Sequence, residues 1–169
     1  ACLQGMFGYL PLYLRSIGWS PVYADSALST FHFVSLLATM PVAMLSDRMK
    51  SRRQILMAAS ILVTIGVGLL TVAEGSLVWL AVVMSGLLRD GFMAVFVTTI
   101  MEIPGVGPTY AGTAMGMAMV LSGIGSVLSP PIGNSFAVWG PSIPFLFWSF
   151  LGAIGFLAMC FLKLEPRRA

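Results

Sequence analysis

Residues 23–42 and 54–73 are two apolar runs of twenty positions that hold one charged side chain between them, Asp25. Positions 43–53, which separate them, hold four of the nine Lys and Arg residues of the chain. Only an α-helix satisfies every backbone polar group within a single segment, and about 20 apolar residues carry a helix across the ~30 Å hydrocarbon slab. Two spanning helices joined by a short basic loop follow. Lys and Arg collect in cytoplasmic loops, so the loop is expected on the inner side of the membrane.

The remainder of the chain repeats the pattern. Of its 169 residues 58% are hydrophobic and 9% charged, against roughly a quarter charged in soluble domains. Such a chain cannot cover itself with polar groups and needs a bilayer. A formal net charge of +3, placed at span ends and in the tail, argues for orientation in a membrane and against nucleic-acid binding. Cys2 and Cys160 have no CxxC or His partner at ligand spacing, so neither a metal nor a disulfide framework is expected.

Six helices fit the length, and the expected architecture is an all-α membrane protein with residues 1–169 as one six-helix transmembrane domain. The first helix, residues 2–14, gives roughly 20 Å of helix and reads as truncated at its N-terminus. Residues 15–21 make an outer loop, and Ser20 or Asp25 can cap the second helix, which runs to about Leu45. The third helix covers 54–73, and Glu74, Gly75 and Ser76 form a tight outer turn. The fourth runs unbroken over 77–103, the fifth over 109–132 with Pro130 and Pro131 bending or ending it, and the sixth over 144–162. Seven Lys and Arg then lie inside (Arg48, Lys50, Arg52, Arg53, Lys163, Arg167, Arg168), one outside (Arg15) and one within the membrane (Arg89). Loop and C-terminus share the cytoplasmic side.

Four polar side chains stand where a solute or a coupling ion could meet them: Gln4, His32, Arg89 and Asp90. Arg89 lies twelve residues beyond Leu77, about 18 Å along the helix, at mid-depth. Ionisable groups are costly there without use. The planar fork of Arg89 suits an anionic group, and Asp90 can orient its surroundings or exchange a proton. Being about 100° apart on a helix, the two need not pair with each other. A structural reading stands beside this one, in which the charges hold the fourth helix to a neighbour, Ser29 or a neighbouring helix supplies a hydrogen bond for His32, and Gln4 makes a helix contact. On the fifth helix, Gly112 and Gly116 begin a stripe of small residues continued by Ala118, Ser122, Ser126 and Pro130, so close packing on more than one side is expected.

The basic block also carries a family resemblance. Asp47-Arg48-x-x-x-Arg52-Arg53, with small Ala43 four positions before the Asp, resembles the loop motif of the major facilitator superfamily, usually Gly-x-x-x-Asp-Arg/Lys-x-Gly-x-Arg/Lys-Arg/Lys. Ala43 and Lys50 stand where that pattern has glycines. The opening of the fifth helix, Tyr110-Ala111-Gly112-Thr113-Ala114-x-Gly116, is similar to the eleventh helix of organic-anion and sugar-phosphate type members. The resemblance implies the C-terminal six-helix half of a twelve-helix transporter, each half being two inverted three-helix repeats, with a missing N-terminal half as partner. It implies secondary active transport of a small organic solute, possible anions included, by alternating access, as symporter, antiporter or uniporter, with a proton among the candidate coupling ions. Asp47, Arg48, Arg52 and Arg53 then form a conformational motif, and the location is a plasma or inner membrane, multi-pass. No cofactor, metal or catalytic residue is implied. A non-transporting membrane scaffold or assembly subunit is the alternative, and an enzyme is disfavoured because GxSxG and HExxH are absent and His32 is the single His.

Overall fold

Pro21 opens a long apolar run because its fixed φ suits a first helical position, and the Ser20 hydroxyl accepts the Tyr23 N–H at 3.4 Å. The helix so begun, α2 (Pro21–Arg48), is one of seven α-helices in the computed structural model, which describes residues 1–48, 52–101, 103 and 106–161, with backbone alone for Asp47, Arg48, Gly107, Pro108 and Thr109. The others are α1 (Cys2–Ser16), α3 (Arg52–Leu69), α4 (Ser76–Leu87), α5 (Arg89–Met101), α6 (Gly107–Ser135) and α7 (Ile143–Phe161), with a 3₁₀ turn at Phe136–Trp139. Five segments are long and apolar enough to cross a membrane: Pro21–Ser46, Arg52–Leu69, Ser76–Met101, Tyr110–Trp139 and Ile143–Phe161. At 15 residues, α1 is shorter than a span. The chain is an all-helical, multi-pass integral membrane protein.

Three boundaries depart from the sequence expectation. The third helix ends at Leu69, not Ala73, because its last turn tightens into i to i−3 bonds at Leu70, Thr71 and Val72. The fifth does not stop at its prolines: α6 continues to Ser135 although Pro130 and Pro131 each remove a backbone donor. Trp148 of α7 packs there against Gly133, and its indole N–H donates to the Ser129 carbonyl at 3.1 Å, which holds the turn to a neighbour. The fourth helix is not continuous. It divides at Leu88, whose φ of −112° and ψ of 8° lie in the sparsely populated bridge region, into α4 and α5 of 12 and 13 residues.

Packing follows the glycines. α3 lies between α4 and α7, α2 runs along both α4 and α5, and α1 meets α2, α6 and α7. A Cβ at Gly66 would stand 2.9 Å from the Ala81 carbonyl oxygen, one at Gly86 would stand 2.8 Å from that of Phe31, and one at Gly68 would stand 2.8 Å from the Ser149 hydroxyl. Backbones this close are the means by which membrane helices associate, since lipid tails offer them no hydrophobic drive. The larger buried cluster joins Met6, Leu10, Phe31, Val67, Val82 and Trp148, and a smaller one, nearer the basic loop, joins Val42, Ile55, Leu56 and Val95. At the far end Arg15 pairs with Asp25, each carboxylate oxygen 2.8 Å from Nη2, and the Tyr9 hydroxyl donates to the Pro141 carbonyl at 2.8 Å.

The small-residue stripe of α6 is not gripped as expected. Nothing described in the chain lies within 4 Å of a Cβ built at Gly112, Gly116 or Gly123, and Met117, Leu121, Ile124 and Val127 on the same helix are exposed. Among the described residues α6 packs mainly on α1, α5 and α7.

Candidate functional site

The break at Leu88 decides what stands at mid-depth. α4 accounts for about 18 Å of a ~30 Å crossing, so α5 begins close to the middle of the slab with Arg89 as its first residue and Asp90 in its first turn. A carboxylate in a first turn meets the positive end of the helix dipole. The Asp90 N–H, which a continuous helix would direct to Gly86, donates instead to the Ser35 hydroxyl of α2 at 3.2 Å.

Arg89 and Asp90 pair with each other, Nη1 to Oδ1 at 2.7 Å, with about a third of each side chain exposed. This differs from the expectation of two independent faces. Among the described residues neither member of the pair makes an ion pair with another helix, and beyond α5 Arg89 meets a ring. Its guanidinium carbon lies 5.5 Å from the centroid of Phe7 on α1, a cation–π geometry contributing about 0.5–1 kcal/mol where water has access.

Phe7 in turn leans on α2. Its ring centroid is 5.3 Å from that of His32 and 4.7 Å from that of Phe31. His32 is exposed and has these two rings as neighbours, whereas the Ser29 hydroxyl donates to the Asp25 carbonyl. Of the two partners expected for His32, Ser29 or a neighbouring helix, neither makes a hydrogen bond to it among the described residues; α1 supplies a ring instead. Gln4, also exposed, sits one turn before Phe7 on the same side of α1. His32 of α2 and Arg89 of α5 thus meet at the Phe7 ring of α1, with Asp90 paired to Arg89; no such contact places Gln4 with them. The arrangement is a partly exposed ion pair beside three aromatic or imidazole rings.

Two members, Phe7 and Ser35, were absent from the residues expected at the site. Phe7 offered a weak signal, three positions after Gln4. Ser35 follows His32 by one turn, but the helix end it caps exists only because of the break.

The motif residues lie elsewhere, toward the other end of α3. The side chains of Asp47 and Arg48 fall outside the described residues, as do Lys50, Lys163, Arg167 and Arg168. Arg53 Nη2 donates to the Cys160 carbonyl in the last turn of α7 at 2.6 Å. Arg52 begins α3 and is partly buried. Among the described residues no group of three or more His, Cys, Asp or Glu could hold a metal ion.

An all-α bundle of apolar spans, one of them broken at Leu88, defines a multi-pass membrane protein. The sequence model of the Major Facilitator Superfamily matches residues 1–169. The chain belongs to the major facilitator superfamily, whose members are transporters. No individual curated protein matches the sequence.

Proposed function

We propose that the chain works in secondary active transport, moving a small organic solute with an anionic group by alternating access, and that the Arg89 guanidinium receives that group. The supporting observation is the placement of Arg89: at the start of a half-helix near mid-depth, a third exposed, stacked on Phe7 and tied to Asp90 through one of its five N–H donors. Asp90 is the group for a coupling proton, since its protonation would release Arg89 to the solute with no net change in charge. Gln4 and His32 complete the polar rim.

In this reading the six-helix domain, two inverted three-helix repeats with α4 and α5 as one crossing, is half of the machine. A second six-helix half covers the open stripe of α6 that begins at Gly112 and Gly116. The protein lies in the plasma or inner membrane with its C-terminus in the cytoplasm, on the side of the basic loop. Asp47, Arg48, Arg52 and Arg53 latch helices at that face during switching, with Arg53 on α7.

Arg89→Lys tests the assignment, because it keeps the charge and removes the fork. Expression is expected to persist while binding of an anionic solute collapses. Unchanged binding and uptake would refute the role of Arg89 and favour a non-transporting scaffold in which the charges only hold the bundle together.

A further inference from the structure

We propose that Ser35 is a positioning residue for the Arg89–Asp90 pair. Its hydroxyl oxygen supplies the Asp90 N–H with the acceptor that the Leu88 break removes, and so fixes where α5 begins and where the guanidinium stands. Ser35 is 1% exposed, and a backbone donor left open against such a buried position is costly.

The register of α2 against the broken helix supports the assignment. Phe31 and Ser35, one turn apart on α2, face Gly86 and Asp90, one turn apart across the break. Absence of a side chain at Gly86 lets the α2 backbone come close enough for a short serine hydroxyl to reach. The Thr39 hydroxyl donates to the Ser35 carbonyl at 2.7 Å, bracing the same stretch of α2. That turn of α2 also presents the Phe31 and His32 rings on which Phe7 rests, and Phe7 carries the guanidinium. Both restraints on Arg89, through Asp90 and through Phe7, therefore originate in residues 31–35.

The inference bears on transport only through the role proposed for Arg89, but its test does not depend on that role. In the detergent-solubilised chain, phenylglyoxal modification of Arg89 is followed by mass spectrometry with Arg15 as internal reference, beside deuterium uptake at residues 88–91. Ser35→Ala, and the near-isosteric Ser35→Cys should alanine impair folding, are expected to raise the Arg89 rate about fivefold and to speed exchange, the effect of losing one interhelical hydrogen bond. Ser35→Thr, which keeps the hydroxyl, is expected to stay within twofold of the native rate. An Arg89 rate within twofold of native in folded Ala and Cys variants, or a Thr variant as reactive as Ala, would overturn the proposal. If the Ser35 variants behave as expected and Arg89→Lys still binds solute, the positioning stands and the transport reading alone fails.

Discussion

Gly66→Ala probes the closest described approach of α3 to α4. The added methyl would meet the Ser85 hydroxyl and would stand 2.8 Å from the Ser85 backbone nitrogen and 2.9 Å from the Ala81 carbonyl oxygen. A rotamer change can move the hydroxyl, which donates to the Ala81 carbonyl, but the two backbone atoms move only with α4. Restoring an ordinary separation of about 3.5 Å requires the helices to part by roughly 0.6 Å. Overpacking of this kind costs about 1–3 kcal/mol. Alanine's better helix propensity returns about 1 kcal/mol, leaving a net loss of up to about 2 kcal/mol. Gly112→Ala provides the control, because nothing described lies within 4 Å of its Cβ position; it is expected to be neutral or stabilising by up to about 1 kcal/mol. Denaturant titration in mild detergent, followed by circular dichroism, compares the two. Adding Ser85→Ala to Gly66→Ala should recover less than half of the loss, since the backbone contacts remain. A Gly66→Ala midpoint equal to or above that of Gly112→Ala would refute the reasoning.

Other contacts give further expectations. Trp148, fully buried, with its indole N–H on the Ser129 carbonyl, should cost about 3–5 kcal/mol when cut to alanine, and about 1 kcal/mol as Trp148→Phe, read from the same titrations. Arg53→Met removes the donor to the Cys160 carbonyl and should speed amide exchange in the last turn of α7 several-fold, with no change in α4; equal rates would show that the bond does not hold that end.

The helices were legible because the membrane imposes one rule on every segment. An apolar run near twenty residues must be a helix, and charge density marks the joints, so the spans beginning near Pro21, Arg52 and Ile143 follow from composition. The break at Leu88 was not legible. No proline marks it, and what surrounds it is tertiary: α2 comes against Gly86, and Ser35 accepts the Asp90 N–H, neither of which local sequence encodes. For the same reason Arg89 and Asp90 could be picked out as polar residues at mid-depth while their pairing could not, since the expectation assumed an unbroken helix. His32 and Gln4 were visible as isolated polar groups in apolar runs. The ring that meets His32, Phe7, looked like any other apolar residue of α1.

Trp148 is enclosed by glycines from two other helices, Gly5 of α1 and Gly133 of α6, each of whose Cβ positions falls within the indole. This ties three distant positions into one inheritance. A lineage that gains a side chain at either glycine first passes through a poorly packed protein, unless position 148 has already become smaller. Once 148 has shrunk, larger residues at 5 and 133 become tolerable and a return to tryptophan is barred. Substitutions at the three sites are therefore expected to occur in a fixed order, with the indole lost first, and to be hard to reverse.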